Sequence, residues 1–476
     1  MVLAGCAIDT FDYSSSGYAN LSTSQSSADD SLSSEGASSL DSEDVSSFDS
    51  VETSSSSAPT YVNGVAELRN PSGLNHNHNY AAYSSESYTK FKYKMKVFSN
   101  RLSDIFVKRY CHGNNNFSVS PLSIEMCLGL AMRCADGETR EEILNAFDMT
   151  YDMFNTNFKL FYDNLVHTRK NDSDQILSQL LLANSIWIDD GANLKDSGLD
   201  ALRDDYYCYS YGVDFDGDNG NANRAMSDFI SQNTKGLLNP NLNISPETLF
   251  VLMNVLYSKG IWNNRGSDLP YASTEYQFTN SNGSKSNKRL LDGYYESGKP
   301  IINGDYSCFY TSLYGYNLYF VKPNAGKNLK DIFDEGTMDN ILDPDSIITR
   351  DDEKMEKYST KCIFPEFSAS GDFDIKSILI NDLGIQSLFS PANCDMSNLT
   401  DDMVYCDEIR HLTKLDVNKK GMEGAAVTYS SMAGAGAPQP DPYTYIKYTF
   451  VVDKEFGFIL THGNSVVFSG VVNNID

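Results

Sequence analysis

An α+β fold in one continuous domain, carried behind a long polar tail, is the architecture the sequence predicts. Three observations point there. Composition changes abruptly near residue 80, where serine and acidic residues give way to periodic apolar patterning. Within the patterned part, helix-type spacing crowds the first half and strand-like runs crowd the last third, the order of a fold in which helices and sheets segregate. Hydrophobic residues make up 41% and aromatics 12% of the 476 residues, enough to fill a sizeable core.

The tail runs from about Ala7 to Asn79. Residues 1–80 hold eleven acids and a single base, Arg69, with runs such as Ser54-Ser55-Ser56-Ser57. Such a stretch buries too little apolar surface to offset the entropy of ordering it. A disordered linker is therefore expected over 7–85 and a folded body over 86–476. A flexible chain of about 75 residues has a root-mean-square reach of roughly 50 Å.

The body opens on an amphipathic helix, because Phe91, Met95, Phe98, Leu102, Ile105 and Phe106 recur at three and four residues. Asn114-Asn115-Asn116 stops it. Phe117-Ser118-Val119 predicts a short strand, and Ser123 is the expected N-cap of the apolar run Met126 to Met132. Asp136-Gly137 ends that helix, and Thr139 with Glu142 reads as a capping box for the next. Strands are expected over 181–188, 249–257, 316–321, 361–367, 445–452, 456–461 and 466–472. Helices are expected over 221–234 and 374–383.

Charge and motif content narrow the function classes. With 37 Lys+Arg against 64 Asp+Glu, the net charge is −27, which repels nucleic acid and anionic lipid. The nine cysteines form no CxxC pair and no zinc-type cluster with histidine, and neighbours such as Met126 and Leu128 around Cys127 predict buried, inert thiols. No run approaches the roughly 18 apolar residues of a membrane span. There is no Gly-x-Ser-x-Gly elbow, no HExxH and no phosphate loop, so neither an enzyme nor a cofactor or metal is expected.

Four separated segments carry a more specific signal. They are Asn116-Phe117-Ser118-Val119-Ser120-Pro121-Leu122-Ser123-Ile124 continuing to Gly137-Glu138-Thr139-Arg140-Glu141-Glu142-Ile143-Leu144; Met253-Asn254-Val255-Leu256-Tyr257-Ser258-Lys259-Gly260-Ile261-Trp262; Asn418-Lys419-Lys420-Gly421-Met422-Glu423-Gly424-Ala425-Ala426-Val427-Thr428; and Phe456-Gly457-Phe458-Ile459-Leu460 with Val467-Phe468-Ser469-Gly470-Val471-Val472-Asn473. In order and spacing this set resembles the serpin family from about Tyr88 to the C-terminus. The resemblance implies three β-sheets, eight or nine helices and an exposed reactive-centre loop. It also implies a suicide-substrate mechanism, in which a serine protease cuts the loop and the freed segment enters the main sheet as an extra strand.

The implied sites can be named. The hinge is Gly421, Met422, Glu423, Gly424, Ala425, Ala426, Val427 and Thr428. Alternation along a strand puts Met422, Gly424, Ala426 and Thr428, all uncharged, on one face. Met422 departs from the family's usual Thr or Ser. The family's polar cluster beneath the opening strands maps onto Ser120, Ser123, Asn254 and His411, the histidine as a structural latch and not a catalyst. The acid and lysine at the loop base are exchanged here, so Glu366 and Lys419 are expected to approach as an ion pair worth no more than about 1 kcal/mol. The scissile bond falls at Ala435-Gly436, within the window Met432 to Ala437. Its side chains, all small or apolar, suit an elastase-like or subtilisin-like pocket.

Leu3-Ala4-Gly5-Cys6 resembles the lipobox of bacterial lipoproteins, which implies a lipidated Cys6, loss of everything before it and a cell-surface anchor; a secreted form is the alternative. The expected partner is a target serine protease in a covalent complex with a monomeric inhibitor. The membrane would be met through the lipid alone. A non-inhibitory surface binding protein on the same fold is the alternative function.

Overall fold

The structure, a computed structural model, describes residues 2–5, 63–74, 80–111, 113–263, 268–422 and 442–475. A 25-residue helix, α1 (Glu86–Tyr110), leads the body. The Ser85 hydroxyl accepts from the Tyr88 N–H at 3.2 Å, and Phe91, Met95, Phe98, Leu102 and Phe106 are buried along one stripe. After the short strand β3 (Phe117–Val119), α2 (Pro121–Cys134) is buried on every side. Its N-cap is Ser120 rather than the expected Ser123: Pro121 takes the first helical turn, where its missing N–H costs nothing, and the Ser120 hydroxyl accepts from the Ser123 N–H at 3.2 Å. The capping box expected from Thr139 and Glu142 does not form either. Asp136 caps that helix, while Glu142 accepts from the N–H groups of Gln386 and Ser387 at 2.7 and 2.6 Å.

The main sheet is built on two long strands, β5 (Ile176–Asp189) and β7 (Phe250–Ile261), paired antiparallel in register from Ser178↔Gly260 to Ile188↔Phe250. Both are buried almost throughout, as strands covered on both faces must be. On one flank β6 (Cys208–Val213) runs parallel to β5, and β4 (His167–Lys170) pairs with its start. On the other flank lie β13 (Glu408–Asn418) and, outside it, β12 (Phe367–Asp374). Two short strands fill places between β13 and β7. They are β14 (Gly421–Met422) at one end and β1 (Val2–Gly5) further along, each antiparallel to both neighbours.

A six-stranded second sheet includes β9 (Tyr306–Leu313), β10 (Tyr316–Pro323), β16 (Phe456–His462), β17 (Ser465–Val472) and β3. A third joins β8 (Leu291–Ser297), β11 (Glu356–Phe364) and β15 (Thr444–Val451), the last parallel to β11.

Three expected elements take other bounds. The strand expected over 361–367 is two: β11 ends at Phe364, Pro365 cannot extend the ladder, and Phe367 begins β12 in the main sheet. The helix expected over 374–383 spans only Lys376–Asn381, because Asp374 still belongs to β12 and its carboxylate accepts from the Lys376 N–H. Part of the expected linker is folded. Val65–Arg69 forms β2, paired antiparallel to β6, with Ala66 buried and Arg69 held by Asp196 at 2.6 Å and Asp200 at 2.7 Å. Residues 6–62 lie outside the described residues.

Candidate functional site

The candidate site begins where β13 turns back on itself. Lys419 and Lys420 form a two-residue turn, after which Gly421 pairs with Asn418 on one side and Ile261 on the other; Met422 pairs with Val417 and Gly260. Glycine is required at 421 for two reasons. Its φ is +136°, and a Cβ there would lie 2.2 Å from the Gly260 carbonyl oxygen, which is backbone and cannot swing aside. Met422 is 1% exposed, with its Sδ 3.8 Å from the Ser258 hydroxyl. The sheet thus houses methionine where the resemblance implied a smaller residue.

The turn is fastened from several directions. The Leu269 N–H donates to the Lys419 carbonyl at 2.7 Å, the Lys420 N–H to Asn418 Oδ1 at 2.9 Å, and the Trp262 indole N–H to the Asn418 carbonyl at 2.9 Å. Glu366 and Lys419 do approach, but not as the expected ion pair. One Glu366 oxygen accepts from the Lys419 backbone N–H at 2.8 Å and the other from the Tyr271 hydroxyl at 2.8 Å. The carboxylate is occupied by these two donors, and the Lys419 ammonium turns to Asp268 at 3.4 Å. Glu423, Gly424, Ala425, Ala426, Val427, Thr428, Ala435, Gly436 and Cys6 lie outside the described residues.

Further along the slot, four fully buried polar residues expected to cluster do meet, in two pairs. The Ser120 backbone N–H donates to His411 Nε2 at 2.9 Å, and the Ser123 hydroxyl donates to Asn254 Oδ1 at 2.6 Å. A ring nitrogen that accepts from an amide is not available as a donor, so Nε2 is the acceptor end of this imidazole. The sequence reading missed Asn184, which extends the cluster: Asn254 Nδ2 donates to Asn184 Oδ1 at 2.9 Å, and Asn184 Nδ2 to the Tyr206 carbonyl at 2.7 Å. The available signal was an amide interrupting the apolar run Leu180 to Ile188. Ser118 and Thr413 form a further buried pair at 2.9 Å, joining β3 to β13.

Across the sheet, Phe373, His411, Val2, Asn254 and Asn184 occupy one register row. Satisfied polar groups in such a row fix which strands lie side by side, since a one-residue slip would leave several buried donors and acceptors unpaired. One member of the neighbourhood is not satisfied. Glu125 on α2 is fully buried; the Ser99 hydroxyl donates to its Oε1 at 2.5 Å, and its Oε2 has no partner. Burial pushes its pKa up to about 8, offset only partly by the Ser99 hydrogen bond. All eight described cysteines are free, and burial likewise pushes the Cys127 thiol up to about 12.

Among the described residues the arrangement offers no activated nucleophile. It offers a place between β13 and β7 where the chain's own hinge, Gly421–Met422, has started a strand. A family model described as Serpin (serine protease inhibitor) matches residues 94–475. Serpin A3-5 of Bos taurus is 24% identical over 372 residues, which is 76% of this chain and 84% of that one. Among solved structures, the thermophilic serpin tengpin in its native state matches with a TM-score of 0.65 at 20% identity, covering 81% of this chain and 94% of its own. Human thyroxine-binding globulin complexed with its hormone matches equally well, at 0.65 and 18% identity, covering 82% and 99%. At these identities the structural likeness speaks for the fold.

Proposed function

The chain belongs to the serpin family, whose members are broadly serine protease inhibitors, and from that premise we propose that it traps elastase-like or subtilisin-like serine proteases as a suicide substrate. One observation carries the proposal. The hinge residues Gly421 and Met422 are already paired between β13 and β7, so insertion continues a strand that has already started. Nucleation of an element is its costly step, and extension then gains one ladder position per residue.

The chemistry belongs to the protease. Its serine Oγ bonds to the carbonyl carbon of Ala435, the Ala435–Gly436 C–N bond breaks, and the Gly436 nitrogen leaves as an amine with the proton the serine gave up. The inhibitor's part is mechanical. Once the loop is cut, the segment after Met422 is free to enter the slot and draw the ester-linked protease along before water hydrolyses the ester. The small or apolar residues from Met432 to Ala437 leave a trypsin-type acidic pocket unpaired, and alanine fits a shallow one. The inhibitor acts as a monomer in this reading and is held outside the cell by a lipid on Cys6. No helix among the described residues is long and apolar enough to cross a membrane.

Mixing the protein with pancreatic elastase, a subtilisin, trypsin and papain tests this on a denaturing gel. The expected result is a band near the summed mass that survives boiling, with elastase or subtilisin only, and a released fragment beginning at Gly436. Cleavage within the loop by every protease with no such band would overturn inhibition. One feature, β1 lying in the slot, favours that other outcome: a non-inhibitory binding module on the same fold.

A further inference from the structure

The two short strands between β13 and β7 share more than a slot. β14 runs antiparallel to both neighbours, and so does β1, so the N-terminal segment travels in the direction an entering loop would take. Their registers also agree. Met422 faces Val417 and Gly260. Six positions further along each neighbour are His411 and Asn254, and both face Val2. A loop extended without slippage would therefore bring Thr428 to the place of Val2, followed by Tyr429, Ser430 and Ser431 at the places of Leu3, Ala4 and Gly5. Only Glu423 to Val427 have room before the two meet. Both flanking strands agree on this register, so it does not hang on a single pairing.

The segment suits the place by composition. Val-Leu-Ala-Gly carries no charge and no proline. A strand between two others must give up water on both edges and use every N–H and C=O. Such a segment in a gap between two strands is an addition to the sheet of the kind an extended peptide makes.

We propose that Val2–Gly5 is an intramolecular plug: it holds the places of loop residues 428–431, and insertion past Val427 requires its withdrawal. The proposal rests on the inhibitory reading above for its kinetic consequence, but not for the binding itself. It also ties two features that the sequence keeps apart. Processing immediately before Cys6, as the lipobox resemblance implies, would remove the same four residues, so an anchored form would be the unplugged form.

The test compares the full chain with two variants, Ala4→Pro, which cannot complete a central ladder, and a deletion of residues 2–5. Elastase and subtilisin serve as probes. The expected result is that both variants form the boiling-resistant complex faster by roughly tenfold, the factor given by about 1.4 kcal/mol. Hydrogen exchange supplies a readout independent of inhibition. The amides of Leu3, Ala4 and Gly5 should exchange slowly in the intact chain and quickly once the loop is cut. Equal complex formation by all three proteins overturns the plug, as does fast exchange at 3–5 in the intact chain. If no protein forms a complex but the amides are protected and then released, the inhibitory reading fails and the plug stands.

Discussion

Glu125 sits in a helix that turns every face toward protein, with one carboxylate oxygen hydrogen-bonded and the other unpartnered. Its folded pKa, about 8, lies well above the ordinary carboxylate value of about 4.3. Between those values the folded state binds a proton that the unfolded state does not, so stability declines as pH rises from about 4.5 to about 8 and is flat beyond. Asp104 acts in the same sense, its burial pushing it to about 7 against the N–H groups of Met338 and Gly336. Glu125→Gln keeps the shape and the Ser99 contact but removes the titration. The variant should match the parent at pH 5 and exceed it at pH 8.5 by an amount on the order of a few kcal/mol, read from denaturant melts. Parallel pH curves would show that Glu125 does not titrate as its burial dictates. Residues of this kind were poorly legible in sequence, since Glu125 inside an apolar run looks like any helix surface position. Ser123 was legible as important but misread as a cap, because a serine before a helix serves two geometries and only the packing of Asn254 opposite it decides between them.

At the scale of elements, the hinge strand is the piece on which function turns. Met422 lies between two strands with almost no exposure, and a cation placed there would be buried without a partner. Met422→Lys should drive β14 out of the sheet and convert trapping into plain cleavage. A loss of complex of roughly tenfold or more is expected, in keeping with the several kcal/mol that an unpaired buried charge costs. Met422→Thr is the control, expected to retain trapping; the ratio of complexed to cleaved protein on a gel checks both. Strands β5, β7 and β16 could be read from their apolar runs because a strand buried on both faces leaves a continuous signature. The linker boundary could not, for β2 is five residues with a single fully buried member and is held as much by Arg69 as by its ladder. The loop-base charges were legible as neighbours, yet the partner of Lys419 was not, because Asp268 comes to it through the chain's path and not through any local pattern.

The molecule as a whole has a main sheet whose middle holds two distant parts of one chain, the hinge and the N-terminal segment. Cutting the loop within Met432 to Ala437 frees about a dozen residues to join it. They would add on the order of ten ladder hydrogen bonds at about 1 kcal/mol net each. In a body of this size that corresponds to a rise in Tm of roughly 10 °C. In the full chain the gain should be smaller, since the entering loop must displace Val2–Gly5 and forfeits the ladder bonds that segment makes, and deletion of 2–5 should restore it; scanning calorimetry of cut and uncut forms decides. No gain in either form would mark a sheet that does not accept its loop. The fold at this scale was readable from four motif segments in order. The position of β1 was not, because four apolar residues beside a long polar stretch carry no record of which distant strands they join. That placement has a bearing on self-association. Two strands held apart present facing rows of N–H and C=O groups, a template that a segment from a second copy could use. Where Val2–Gly5 already satisfies the stretches 408–411 and 251–254, that template is closed, and the chain guards itself against its own kind.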